Sequence, residues 1–155
     1  MWHRIVALTL LFAGVSSAEP ASYVFPPNGR FIFPVALGKA LLHPCSRSVP
    51  KSISAFWEPS EADIDSMEKQ LVDYMMGLER ADSLRPPAAS YSRQYIGIVE
   101  KGTKLIYGNY FPPSFSRLGA DRHPIDICHG GPRIWSIVFN PKTNSFTYPS
   151  FNGPG

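Results

Sequence analysis

Charge is scarce in this chain. Acidic and basic residues make up 17% of its 155 residues, against about 25% in an average domain. That is too little for a charge-rich disordered tail or a coiled coil. The basic excess is small, a formal +3, and no basic stripe runs along any segment, so nucleic acid is not an expected partner. No apolar run reaches the ~20 residues that span a bilayer. Nucleotide, zinc-protease and calcium signatures (Walker A, G-x-G-x-x-G, H-E-x-x-H, EF-hand) are all missing, as is any N-x-[ST] acceptor. The length itself excludes an α/β-hydrolase or a TIM barrel and bounds the chain to one domain. No cofactor and no metal site are expected.

What is present is apolar, aromatic and punctuated. Hydrophobic residues reach 44% and aromatic residues 13%, and there are 16 prolines, about twice the usual ~5%. The first residues have their own logic. Met1-Trp2-His3-Arg4 is a short basic start, residues 5–15 are uncharged and apolar, and Ser16-Ser17-Ala18 places small residues before Glu19. That order is the three-part pattern of a secretory signal peptide over residues 1–18, which implies a periplasmic or secreted protein with no stable membrane anchor after cleavage. Without Arg4 the balance falls to 14 basic against 12 acidic residues.

Both cysteines, Cys45 and Cys128, survive that cleavage. An even count in an exported chain predicts a Cys45–Cys128 disulfide. A bridge across so long a loop stabilises by roughly 4–5 kcal/mol on the chain-entropy estimate. It would tie an irregular, proline-rich segment at residues 19–50 to an α+β domain at residues 51–155. Cys128-His129-Gly130-Gly131 also contains the residue types of a thiol nucleophile with a base. His43, His123 or His129 could accept the proton, and Asp121 or Asp126 could orient the ring. Export argues against this, because an oxidising compartment would convert Cys128 and Cys45 to a disulfide. A zinc set of His43, Cys45, Cys128 and His129 fails on spacing, since adjacent residues seldom both reach one metal. The His129-Gly130-Gly131 run is similar to an esterase oxyanion loop, but no G-x-S-x-G elbow accompanies it. Glu58 and Glu61 stand at a helix start, where capping explains them better than a carboxylate pair does.

Proline spacing confines regular structure mainly to residues 60–85 and 88–111. Residues 60–80 predict a helix. Ser60 is its N-cap with Asp63 at the capping-box position, and Ile64, Met67, Leu71, Tyr74, Met75 and Leu78 form one face. Residues 94–110 predict a hairpin around Glu100-Lys101-Gly102-Thr103. Pairing Val99 with Lys104 puts Ile96, Ile98, Leu105 and Tyr107 on one face, expected to receive the helix. Tyr95, Gly97, Val99, Ile106 and Gly108 take the other, with Tyr95 opposite Gly108. A second hairpin is expected from residues 134–139 and 145–148, with Trp135, Ile137, Phe139, Phe146 and Tyr148 sharing a face, and a short strand at 52–57. The fold class is therefore α+β, one amphipathic helix on a four- to five-stranded antiparallel sheet, an order that a cystatin-like arrangement fits.

Several runs in the C-terminal part go together: Arg93-Gln94-Tyr95-Ile96-Gly97, Leu105-Ile106-Tyr107-Gly108-Asn109 and Cys128-His129-Gly130-Gly131. Trp135, Asn140-Pro141-Lys142-Thr143, Phe146 and Phe151-Asn152-Gly153 complete the set. Over residues 93–153 the chain resembles small exported proteins of Gram-negative bacteria, which often carry Asp where His129 stands here. The resemblance implies export and a small α+β domain, and it carries no catalytic residues. Export, small size, a bridge and an aromatic surplus together point to a binding or inhibitor module acting on a protein partner in the periplasm or envelope. Tyr95, Tyr110, Phe111 and Phe115 are its candidate contacts, because aromatic side chains concentrate at interface centres. The competing readings are a small hydrolase using Cys128 with a histidine, and a structural envelope protein.

Overall fold

The computed structural model describes residues 22–77, 86–147 and 149–153. The signal segment 1–18, Leu78 and Tyr148 lie outside the described residues. In chain order the elements are β1 (Arg30–Ile32), α1 (Gly38–Leu41), β2 (Ile53–Trp57), α2 (Glu61–Gly77), β3 (Ser92–Glu100) and β4 (Thr103–Phe111), followed by β5 (Trp135–Asn140), β6 (Ser145–Phe146) and β7 (Ser150–Phe151). The β3–β4 hairpin is the centre of the sheet. Val99 pairs with Lys104 and Tyr95 with Gly108, the register that the hydrophobic alternation predicts. The connection is tighter than expected: Glu100 pairs with Thr103, and Lys101 and Gly102 alone turn the chain, with φ of 49° and 77°. Two consecutive positive φ values define the turn whose twist matches that of the strands.

The class is α+β, and the sheet differs from expectation in two ways. Among the described residues it has seven strands, in the order β1-β3-β4-β5-β6, with β2 also on β3 and β7 also on β5. It is also mixed, because β1 runs parallel to β3, Arg30 beside Arg93. A purely antiparallel, cystatin-like order is thereby corrected. The segment expected to be irregular thus supplies a strand. Only three residues long, with Pro26-Pro27 before it and Pro34 after it, β1 is too short to leave a period of two in the sequence.

Helix α2 begins as its capping box requires. The Ser60 backbone N–H donates to Asp63 Oδ2 at 2.8 Å, and the Asp63 N–H returns to Ser60 Oγ at 3.2 Å. Its face of Ile64, Met67, Leu71 and Met75 is buried, but against the opposite side of the sheet from the one expected. It packs on Tyr95, Ile106, Tyr110, Trp135, Ile137 and Phe139. The Ile96, Ile98 and Tyr107 face is instead covered by Phe33 and Leu41 of the N-terminal segment. Both faces are apolar, so alternation alone does not choose between them. The choice follows volume and charge: the rings stand on the helix side, Tyr110 stacked on Trp135 at 3.9 Å, and a half-buried acid in the middle of the helix finds its partners there.

That acid is Glu68. Arg93, only 1% exposed, holds it through two bonds, Nε to Oε1 at 2.7 Å and Nη2 to Oε2 at 2.9 Å. Tyr95 donates its hydroxyl to Oε1 at 2.8 Å, and Arg30 of β1 reaches Oε2 at 3.0 Å. The remaining Arg93 nitrogen, Nη1, donates to the Pro26 carbonyl. Helix, central strand and edge strand therefore meet at one carboxylate. Removing one partner of a buried pair strands the other charge and costs about 3–5 kcal/mol, whereas an apolar replacement of both is close to neutral. Glu68→Ala should lose that much in urea unfolding, and Glu68→Leu with Arg93→Met should recover most of the loss. A double variant no better than the single would show that the pair does not act as a unit.

Burial also governs the tyrosines of this layer. It raises the Tyr91 phenol from 10.0 to about 12, and it holds Tyr95 and Tyr110 well above the ordinary value. Unfolded tyrosines ionise near pH ~10, so above that pH the unfolded chain binds fewer protons than the folded one. These groups leave stability unchanged below about pH 10 and lower it as pH rises through the folded values. The last tyrosinate absorbance to appear in an alkaline titration should therefore coincide with loss of the folded circular-dichroism signal. Complete ionisation of all the tyrosines in a still-folded protein would contradict this.

Candidate ligand-binding cleft

On the side of the sheet away from α2 the strands carry polar residues at buried positions. Gln94 and Asn109 are cross-strand partners, and both are fully buried. Their amides anchor the loop that follows β4. Gln94 Nε2 donates to the carbonyls of Ala120 at 2.8 Å and His123 at 2.7 Å, and its Oε1 accepts from the Ile125 N–H at 2.9 Å. Asn109 Nδ2 donates to Gln94 Oε1 and to the Ile125 carbonyl. Asn152, just after β7, extends the chain of amides by donating to the carbonyls of Ile127 and His129. A loop with little regular structure of its own is thus held by side-chain amides.

The Cys45–Cys128 bridge joins the N-terminal segment to this same loop, and the Cys45 N–H adds a bond to Asp126 Oδ1. Two residues later the segment inserts Arg47, which is 8% exposed. Its Nη1 donates to Asn152 Oδ1 at 2.8 Å, and its Nη2 to Asn109 Oδ1 at 2.5 Å and to the Tyr107 hydroxyl at 3.5 Å. All three acceptors are neutral. Among the described residues no carboxylate lies within ion-pair distance of Arg47, and its buried Nε has no hydrogen-bond partner.

Beside this arginine lies a cleft of about 290 Å³, near the lower end of the range of ligand pockets, about 300–1,000 Å³. Val49, Pro50, Leu105 and Val138 give it apolar walls, and Tyr107, Ser136 and Ser150 give it hydroxyls. The Ser150 hydroxyl accepts from the Ser48 N–H at 3.0 Å. Ser136 differs. The residue is only 2% exposed, it lines the cleft, and among the described residues its hydroxyl has no partner. Glu100 stands at the far end, beyond Leu105.

The residues singled out in the sequence are distributed otherwise. Tyr95, Tyr110 and Phe111 are 0% exposed, so the expected contact surface is corrected to core. Tyr95 and Tyr110 are needed under α2, where their hydroxyls lie 3.0 Å apart, and Phe111 packs with Ala120 and Ile125. Phe115 is half-buried against that same cluster. The Cys128 sulfur is bonded to Cys45, so it is not a thiolate nucleophile, and the two sulfurs of the proposed zinc set are spent on each other. His43, His123 and His129 are exposed. Glu61 pairs with Arg30 at 2.8 Å. Arg47, Ser136, Gln94, Asn109 and Asn152 were missed. One signal for them was available: the predicted hairpin register itself sets Gln94 opposite Asn109 inside two otherwise apolar strands.

The bridge and the amide chain converge on the loop ending at His129, which makes the bridge's contribution measurable. Cys45→Ala and Cys128→Ala should each cost about 2–5 kcal/mol. The double variant should unfold within a few tenths of a kcal/mol of either single, and additive losses would contradict one shared bond.

In comparisons with known proteins, no family model, no curated protein and no solved structure matches the chain.

Proposed function

We propose that this protein is an exported binding module that acts by holding its partner in the cleft between residues 48–50 and the sheet, without chemistry on it. The observation that carries the reading is Ser136, a largely buried residue that lines the cleft and whose hydroxyl is bonded to no described residue. A hydroxyl that opens to a pocket and is unused by the protein is available to a ligand there. Export is supported by the signal pattern of residues 1–18 and by the bridge, since such bonds persist in oxidising compartments. Among the described residues no helix is long and apolar enough to cross a membrane. Partner contact through Tyr95, Tyr110 and Phe111 is not supported, because those rings are interior. Among the described residues, the exposed large apolar side chains, Val24, Val35, Met76 and Leu118, belong to four different segments. The hydrolase reading loses its nucleophile to the bridge.

Intact-mass measurement of the chain expressed with its own N-terminus in a host with a periplasm tests the first half. The periplasmic fraction should contain a protein beginning at Glu19 and lighter by two hydrogens than its reduced form. An uncleaved chain with two alkylatable thiols would overturn export and return Cys128 to consideration as a nucleophile.

A further inference from the structure

We infer that the cleft takes a small monocarboxylic acid with an apolar body, its carboxylate at the Ser136 and Tyr107 end and its body along Val49, Pro50, Leu105 and Val138. The inference rests on the cleft being a binding site and adds the ligand's chemical class.

The two ends of the cleft differ, and the strand register orders them. Ser136 is the partner of Asn109, and Val138 is the partner of Tyr107. Leu105 lies two residues further along β4, towards the hairpin turn and Glu100. Hydroxyls run along the cleft, Thr147 standing beside Val138, so the ends differ in charge: Arg47 approaches the Ser136 end through Tyr107, and the one acid of the lining, Glu100, stands at the opposite extreme. Arg47 sits behind the polar end: its Nη2 meets Asn109 Oδ1 and the Tyr107 hydroxyl. The Tyr107 oxygen accepts from Arg47, and its own O–H, like those of Ser136, Ser48, Thr147 and Ser150 along the cleft, donates to no described residue; of these hydroxyls, Tyr107's is the one that Arg47 reaches.

Charge decides which acceptor. A buried guanidinium surrounded by neutral amides is costly unless paired. Arg47 has a hydrogen-bonded cradle but no counter-charge. A carboxylate at the Tyr107 and Ser136 hydroxyls would stand one hydroxyl group away from Arg47 and supply it. A cation there would add to the buried positive charge. A neutral alcohol could bond the hydroxyls but would leave Arg47 uncompensated. Glu100 disfavours the reversed orientation, which would bring two carboxylates together. The apolar walls favour a short alkyl or aryl body through ordinary burial, and a volume near 290 Å³ restricts its size.

The test uses the full mature protein and three probes of equal length: hexanoate, 1-hexanol and hexylammonium. Binding is followed by amide chemical-shift changes at Tyr107, Ser136 and Val138. Hexanoate should bind saturably and at least tenfold more tightly than 1-hexanol, in line with the greater strength of hydrogen bonds to charged acceptors, and hexylammonium should not bind. Ser136→Ala should weaken hexanoate about tenfold while leaving the thermal midpoint unchanged, because that hydroxyl makes no bond within the protein. Glu100→Gln, at the cleft mouth, should tighten hexanoate modestly. Should 1-hexanol or hexylammonium bind as well as hexanoate, the cleft is a binding site and the carboxylate assignment is overturned. Should none of the three shift those amides, both the assignment and the cleft reading fail.

Discussion

One carboxylate organises this molecule. Glu68 receives two bonds from Arg93, one from Tyr95 and one from Arg30, and those donors stand on the central strand and on the parallel edge strand. An acid on a helix face is ordinarily solvated; here it is drawn towards the sheet because its partner guanidinium is itself buried. The pair specifies as much as it stabilises. Bidentate geometry admits one orientation of α2 on β3, and Arg93 Nη1 adds the carbonyl of Pro26, so the N-terminal segment is set by the same group. With α2 fixed on that side, the other side of the sheet must be closed by something else, and residues 31–57 close it.

Closing both faces explains why aromatic residues concentrate where they do. Gly97 and Gly108 lie on the helix side of the hairpin, and each leaves the backbone bare for a ring. A Cβ on Gly97 would meet the Trp57 indole at 2.4 Å, and one on Gly108 would meet Tyr110 at 2.7 Å and Tyr95 at 3.0 Å. Interiors are close-packed, so rings placed over glycine are core rings. Aromatic surplus in a small exported chain therefore has two meanings that composition does not separate, an interface or a densely packed interior. In this protein Tyr95 and Tyr110 are interior, and Trp57 is partly buried at the margin of the same cluster.

The parts of the fold legible in the sequence were those with a period. Residues 61–77 show five apolar positions at helical spacing, with a capping box at their start, and the helix begins where the box requires. The β3–β4 register followed from alternation, and the bridge from the count and compartment of cysteine. What was illegible had no period to read. Three residues of β1 between prolines and two residues each in β6 and β7 are shorter than the alternation they would need. The side of the sheet chosen by α2 depended on a Glu68–Arg93 pairing 25 positions apart, which local pattern does not encode. The cleft was hidden for a related reason. Arg47 lies in a stretch with no regular structure, and Ser136 is a small polar residue in a strand, where its burial is visible only once β7 and the 48–50 segment have come over it.

The two buried arginines show how one fold separates a lock from a site. Arg93 is matched in charge and geometry by Glu68, so nothing is left over for a ligand to supply. Arg47 is matched in geometry alone. Amide oxygens of Asn109 and Asn152 hold its position, and those amides are the ones that secure the loop behind the bridge. Substituting a carboxylate for either amide would neutralise Arg47 but would forfeit the donors that Ile125, Ile127 and His129 carbonyls need. The loop thus requires amides, the amides leave Arg47 with no described counter-charge, and the Tyr107 hydroxyl that Arg47 reaches lines the cleft. The uncompensated charge of Arg47 is therefore a consequence of how the loop is held, and it persists as long as the loop does.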